Sequence, residues 1–388
     1  MLTTLINKPP WMRTFHELSY TGTISVSARI SGGDMAQANL KLILTRPAPP
    51  ILESIETPAL PQKDNEPGSI EVLLAANRWW RAHPWPEPFN KTVHTVCCAD
   101  ARNLKHIDAN NIHLIVTSPP YFNIKPYESN AGGTQLGRIA EYETFLSELG
   151  RCMREWSRVL VPGGRVCCII GDVLVPRRKG GRHLILPLPA DIMVMARRAG
   201  LDSLTPILWF KITNRINEAG GGSSGYYGKP YQPGAIIKND FEHVVMLRKP
   251  GAYRSTSMLQ KALSMLQKDE MDGWQRPYWN DIRGASLRDG HPAPFPPELA
   301  ERLIRMFSFA GDTILDPFCG SGSTGIAACR VGRNSLQCDV EQTYVESSLT
   351  RLQGELMKRV QYGADIRHLV YEGERQTRSE TGQLQYEA

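Results

Sequence analysis

Two short segments of the chain carry residue types that could do chemistry together. The first, Thr117-Ser118-Pro119-Pro120-Tyr121, ends the apolar run IHLIVTS. Its two prolines remove backbone donors and favour a rigid, extended corner. The Ser118 hydroxyl and the Pro119 carbonyl would then be two neighbouring hydrogen-bond acceptors, with the Tyr121 ring beside them.

Two acceptors beside an aromatic ring suit the transfer of a chemical group to an exocyclic amine of a nucleobase. Such an amine is a poor nucleophile because its lone pair is delocalised into the ring. Acceptors aimed at its hydrogens pull it towards tetrahedral geometry, and Tyr121 could stack on a base turned out of a duplex. Taken alone, however, SPPY is as easily a proline-rich turn after a core strand.

The second segment is a glycine-rich loop. In TILDPFCGSGSTGIAACRVG an apolar run precedes Gly320-x-Gly322-x-x-Gly325, and a small-residue helix follows. The glycines permit a tight turn and close approach of the backbone to a ligand. Asp339 ends the next apolar run, NSLQC, where it could accept hydrogen bonds from ribose hydroxyls, with Glu341 as a nearby alternative acid. This arrangement predicts a site for a nucleoside cofactor.

The residues before the glycines separate two classes of cofactor. A GxGxxG pattern is weak evidence by itself, because nicotinamide-dinucleotide loops share it. In those loops the strand usually runs directly into the first glycine, whereas Asp316-Pro317-Phe318-Cys319 precedes Gly320 here. The string DPFCGSGST instead resembles the S-adenosylmethionine loop of amino-group DNA methyltransferases.

An α/β sheet is needed to bring the two segments together. Short apolar runs predict strands, and segments with helical spacing lie between them. This alternation predicts a mostly parallel sheet, in which ligands bind beyond the carboxyl ends of the strands. The predicted strands are 92–98, 112–118, 165–171, 203–210, 241–247, 313–318 and 334–338, and the predicted helices are 142–160, 189–200, 296–309 and 323–332.

The chain resembles the β-class of amino-methylating DNA methyltransferases over roughly residues 91–360. In that class the catalytic motif precedes the cofactor motif, as TSPPY precedes DPFCGSGST here. The resemblance implies an α/β fold with a seven-stranded, mostly parallel Rossmann-like methyltransferase sheet in circularly permuted motif order. It also implies S-adenosylmethionine as cofactor, double-stranded DNA as substrate and a cognate restriction or defence system as a partner.

The resemblance also assigns site residues. It gives Ser118, Pro119, Pro120 and Tyr121 the catalytic role. Asp100, in CADARNL, would contact the cofactor adenine or shape its pocket, and the HPAPFP segment 291–296 would lie against the methionine part. The predicted cofactor-binding residues are Asp316, Pro317, Phe318, Gly320, Gly322, Asp339, Asp100, His291 and Pro292.

The residue before the Pro-Pro pair bears on the target base. Within this family Ser or Thr is associated with cytosine-N4 and Asp or Asn with adenine-N6, and HPAPFP resembles the cytosine-N4 subgroup. We therefore expect N4-methylcytosine, with N6-methyladenine as the alternative, since a hydroxyl and a carbonyl suffice to orient either amine. A methyltransferase of protein glutamine or of RNA is a further alternative, since such enzymes also use a Pro-Pro-Tyr corner; motif order and Ser118 disfavour the glutamine-modifying enzymes.

Basic and aromatic residues after strand 203–210 are the predicted DNA contacts. They are Lys211, Arg215, Tyr226, Tyr227, Lys229, Lys238, Arg254 and Arg276. The predicted organisation is an appended N-terminal region (1–90), a catalytic half (91–248) with a DNA-contacting loop (211–240), a target-recognition region (249–289), a cofactor-binding half (290–362) and a tail (363–388).

Length and composition limit the class of protein and its location. At 388 residues, with 41% hydrophobic and 22% charged residues, the chain is typical of a globular protein with one large domain and appended segments. The sequence shows neither an apolar run of membrane-spanning length nor a secretion signal, so we expect a cytoplasmic protein, associated with the nucleoid through DNA. The eight cysteines contain no C-x-x-C pair, so they are interpreted as reduced structural thiols and no metal site is expected.

Overall fold

The computed structural model describes residues 57–122, 135–175, 181–182, 184–211, 239–285 and 295–361, and the backbone of four short strands outside these ranges. The strands are β1 (Ala28–Ser31), β2 (Gln37–Thr45), β3 (Lys91–Cys98), β4 (Ile112–Thr117), β5 (Leu160–Ile170), β6 (Val173–Val175), β7 (Leu184–Leu186), β8 (Asp202–Ser203), β9 (Ile207–Phe210), β10 (Phe241–Arg248), β11 (Tyr278–Trp279), β12 (Thr313–Asp316), β13 (Asn334–Asp339), β14 (Thr377–Arg378) and β15 (Leu384–Gln385).

Helices connect and cover these strands. They are α1 (Ser69–Ala82), α2 (Tyr142–Val159), α3 (Leu188–Arg198), α4 (Met258–Ser264), α5 (Lys268–Trp274), α6 (Pro297–Phe307), α7 (Ser323–Arg330) and α8 (Gln342–Gln361), with a 3-10 turn at Leu136–Arg138. Among the described residues, no helix combines the length and apolarity that a bilayer crossing requires.

In the described part of the chain, eleven strands form one sheet in the order β1-β2-β3-β13-β12-β4-β5-β10-β9-β11, with β8 beside β10. Strands β3, β13, β12, β4 and β5 are parallel, whereas β10 is antiparallel to both β5 and β9. The seven predicted strands are the consecutive set from β3 to β9 in this order. The predicted Rossmann-like α/β fold is therefore confirmed.

Alternate residues of the central strands feed two cores on opposite faces of the sheet. On β4, Ile115 packs into the core covered by α2 and α3, whereas Leu114 and Val116 pack into the core covered by α6 and α7. Helix α2 contributes side chains at helical spacing, from Phe145 to Trp156, and both are fully buried. Burial of each large side chain contributes about 2 kcal/mol, which holds the strand ends in fixed register.

The region before residue 91 contains more regular structure than its proline-rich sequence indicates. Strand β2 extends the sheet by pairing antiparallel with β3. Helix α1 docks on α4 through a small apolar cluster that includes Leu73, Trp80 and Leu263. This region therefore adds two strands, β1 and β2, to one end of the sheet and packs a helix against α4.

Candidate active site

One cleft opens at the carboxyl ends of β3, β4, β12 and β13, and it brings the two predicted motifs together. The space between its walls is about 520 Å³ when the open solvent at its mouth is included. Its lining residues are Ala99, Asp100, Ala101, Ser118, Pro120, Gln135, Leu136, Pro317, Phe318, Asp339, Val340 and Tyr344. Six of the predicted site residues thus meet in a single cleft.

The Ser-Pro-Pro-Tyr corner is held by its surroundings. Pro119 and Pro120 are buried, whereas Ser118 is partly exposed to the cleft. The Tyr121 ring lies against Gly171, where an added Cβ would stand 3.5 Å from Tyr121 Cε1. This is an ordinary van der Waals distance, so the Tyr121 ring packs directly beside the backbone at Gly171.

Asp316 joins the catalytic strand to the glycine-rich loop. Its carboxylate is fully buried and accepts hydrogen bonds from Thr117 Oγ1 at 2.7 Å, Thr324 Oγ1 at 2.7 Å and the Phe318 backbone N–H at 3.2 Å. Burial raises the pKa of Asp316 to about 6, although these three donors act in the opposite direction. Asp316 was predicted to bind cofactor, but its carboxylate does not line the cleft, and it positions the two loops instead.

The glycine-rich loop is pressed tightly against its neighbours. Gly322 has φ near +83° and is the N-cap of α7, and an added Cβ would lie 2.4 Å from Ser348 Oγ. At Gly325 an added Cβ would lie 1.9 Å from the Gln337 amide nitrogen. These clashes show that close packing against Ser348 and Gln337 requires glycine at both positions.

Asp339 ties the end of β13 to the loop. Its two carboxylate oxygens accept hydrogen bonds from the Gly320 N–H at 2.9 Å and the Glu341 N–H at 3.0 Å. Burial raises the pKa of Asp339 to about 7, against the effect of those two bonds. Glu341, the alternative acid, is buried and does not line the cleft; its backbone carbonyl accepts from Tyr344 and Val345 near the start of α8.

Asp100 lines the cleft with its carboxylate already oriented. Arg102 donates to it through Nη2 at 2.6 Å and through Nε, and also pairs with Glu148 at 2.6 Å. The carboxylate is thus fixed beside the end of β3 by a guanidinium that α2 holds in place. This geometry is compatible with either predicted role, adenine contact or pocket wall.

The predicted DNA contacts fall into three groups. Lys211 lies at the carboxyl edge of the sheet, but its ammonium pairs with Glu242 at 2.8 Å. Arg254 pairs with Asp312, directly before β12 and therefore at the opposite, amino edge, which is at odds with a DNA contact beside the cleft. Arg276 is exposed.

Seven predicted site residues lie outside the described residues: Arg215, Tyr226, Tyr227, Lys229, Lys238, His291 and Pro292.

A hairpin at the carboxyl edge of the sheet was not predicted from the sequence. Strands β6 and β7 pair antiparallel immediately beyond the end of β5. Val173 is buried in the same core that Tyr121 packs against, and Leu174 and Ile185 are exposed. The connecting segment reads PRRKGGRH, and this basic run was the signal that could have identified it.

Comparison with known proteins agrees with this geometry. Residues 112–350 match the N6/N4 methyltransferase family, described as DNA methylase. The Type II methyltransferase M.MjaI of Methanocaldococcus jannaschii is 32% identical over 280 residues, which cover 65% of this chain and 88% of that protein. M.MthZI of Methanothermobacter thermautotrophicus is 28% identical over 281 residues, covering 68% and 77%.

A solved structure is similar as well. TTHA0409 of Thermus thermophilus, assigned as a DNA modification methylase and solved in complex with S-adenosyl-L-methionine, is 40% identical. The match covers 72% of this chain and 97% of that one, with a TM-score of 0.56. With its two motifs in one cleft and the family match over more than half its length, the chain belongs to the amino-methylating N6/N4 DNA methyltransferases.

Proposed function

We propose that this protein transfers a methyl group from S-adenosylmethionine to the exocyclic N4 of cytosine in duplex DNA. The observation that carries the proposal is the cleft in which Ser118 and Pro120 face Phe318 and Asp339. A neutral hydroxyl therefore lies where the target amine would enter, beside residues suited to a nucleoside. The relatives M.MjaI and M.MthZI are Type II methyltransferases, so we further propose a cognate restriction nuclease as partner.

The residues of the cleft fit S-adenosylmethionine. Asp339 offers a buried carboxylate to ribose hydroxyls, and Phe318 and Val340 offer apolar walls to a purine ring. When bound, the cofactor supplies a methyl group that is open to nucleophilic attack. Asp100, held by Arg102, would place a second carboxylate beside the adenine of the cofactor.

The corner residues activate the target amine. The Ser118 hydroxyl and the Pro119 carbonyl accept the two N–H groups, which turns the nitrogen lone pair out of conjugation. Tyr121, which lies beside Gly171, stacks on the extruded base. The nitrogen gains the methyl group and loses one proton to solvent, so transfer is direct and no covalent enzyme–base adduct forms.

The product identifies the base. We expect unmethylated duplex DNA incubated with the protein and S-adenosylmethionine to yield N4-methylcytosine upon digestion to nucleosides and mass spectrometry. DNA incubated without the cofactor is the control. N6-methyladenine as the product would overturn the cytosine assignment while leaving the amino-methyltransferase chemistry intact.

Duplex DNA would lie along the carboxyl edge of the sheet in this proposal. Supporting it is the hairpin β6–β7, which follows the carboxyl end of β5 and has a basic connection. Arg254 is left out because of its place at the opposite edge.

Cofactor affinity should depend on pH through Asp339. Its pKa is raised to about 7, so the carboxylate that accepts ribose hydroxyls is present above that pH and is lost as the pH falls. We expect calorimetry to show S-adenosylmethionine affinity falling by up to about tenfold per pH unit below pH 7. Asp339→Asn should bind more weakly and lose this dependence. An identical pH slope in both proteins, which titration of the cofactor's own amine would produce, would contradict the assignment.

A further inference from the structure

Three potential metal ligands, two from one short segment and one from far along the chain, meet near the carboxyl edge of the sheet. Cys97 in β3 and Cys338 in β13 are directly opposite each other in the parallel ladder. Their sulfur atoms are 3.1 Å apart, and His106 Nε2 lies 3.7 Å from Cys97 Sγ and 3.8 Å from Cys338 Sγ. We call these three residues the Cys2His cluster.

The spacing of the three atoms matches the reach of a metal ion. A point equidistant from all three lies about 2.1 Å from each in their common plane, as the three separations require. Zinc takes thiolate sulfur at about 2.3 Å and imidazole nitrogen at about 2.0–2.1 Å, so an ion slightly out of this plane would reach every ligand. The two sulfur atoms would have to move only slightly further apart to bind the ion.

Burial and charge also favour a divalent, thiophilic cation. Both sulfurs are buried, whereas His106 is exposed. Two thiolates would neutralise one divalent cation, so the filled cluster would bring no net charge into the core. The exposed histidine side leaves the fourth tetrahedral position open to water.

We propose that the Cys2His cluster is a zinc site that clamps β3, β13 and the segment after β3 together. Zn²⁺ would be bound by the thiolates of Cys97 and Cys338, by the His106 imidazole and by water, with release of the two thiol protons to solvent. The clamp lies one residue before Asp339 on β13, so it fixes the strand end that carries this acid. The inference does not depend on which base the protein modifies.

Metal analysis of the full-length chain tests the site. Reduced protein, stripped with chelator and incubated with ZnCl₂, should retain one equivalent of zinc after desalting and should melt at a higher temperature than the stripped protein. Co²⁺ in place of zinc should give the intense near-ultraviolet absorption of thiolate-to-cobalt charge transfer. Cys97→Ser, Cys338→Ser and His106→Ala should each lose the equivalent of zinc and the thermal shift.

The controls distinguish this cluster from other thiols and imidazoles. Cys329→Ala removes a buried cysteine elsewhere, and His83→Ala removes a histidine directly after the end of α1; both should keep the metal. Because His106 is exposed, His106→Ala should fold even where the buried cysteine variants do not. The proposal would be overturned if His106→Ala retained zinc or if the reduced wild type took up none. It would also be overturned if Cys97 and Cys338 formed a disulfide and never bound the metal.

Discussion

Ser118→Ala is expected to slow methyl transfer about 100-fold and to leave S-adenosylmethionine affinity unchanged. The hydroxyl is one of only two acceptors that we assign to the target amine, and it matters chiefly when the amine leaves conjugation. The substitution removes one oxygen from a side chain that is partly exposed in the cleft, so the corner should keep its shape. Single-turnover transfer and calorimetry of cofactor binding measure the two quantities separately.

Ser147→Ala is the matched control, since Ser147 is exposed on α2. It should transfer methyl groups at the wild-type rate. A Ser118→Ala protein that transfers as fast as Ser147→Ala would remove Ser118 from the chemistry. A parallel loss of cofactor affinity would point to a disturbed cleft instead.

Asp316→Ala should lower the free energy of unfolding by about 3 kcal/mol or more. The change leaves the Thr117 and Thr324 hydroxyls and the Phe318 N–H without their shared acceptor inside the core. It also opens a small cavity between β4 and α7. Because both loops depend on this carboxylate, cofactor affinity should fall together with stability. Chemical denaturation and calorimetry provide the two measurements.

Asp316→Asn separates charge from shape. The pKa of the wild-type carboxyl rises from 3.8 to about 6 on folding because of burial. Its contribution to stability is therefore full below pH 3.8 and declines as the pH rises to about 6. The asparagine variant should lack this decline, so the stability difference between the two proteins should shift in favour of the variant as pH rises. A difference that does not change with pH would mean that the carboxyl is not perturbed.

Local sequence patterns predicted the central sheet well because its strands are short apolar runs bounded by glycine, proline and charge. Helix α2 was also predictable, with Phe145, Leu149 and Trp156 at helical spacing. Helix α8 carries a comparable pattern at Val345, Leu349 and Leu352 that was overlooked. Strand β2 and helix α1 were missed because prolines interrupt the period around them.

The sequence motifs predicted which residues form the site, but not the direction in which each side chain points. Strand order brought Ser118 and Asp339 into one cleft, as the parallel sheet required. Asp316 was assigned to the cofactor because a sequence does not tell which way a strand-end carboxylate points. Arg254 was assigned to DNA because basic character says nothing about which edge of the sheet a residue occupies. The Cys2His cluster escaped notice since its ligands share no local spacing.

We expect the cleft to transfer methyl groups directly to an exocyclic amine of a DNA base. The most direct test is to offer S-adenosylmethionine with a labelled methyl group to the protein in the presence of duplex DNA, RNA and cell protein, and to locate the label. We expect label in DNA, on a base nitrogen outside the ring, with no cysteine adduct trapped on fluorinated cytosine. Label confined to RNA or protein, or bound to a ring carbon of the base, would contradict it.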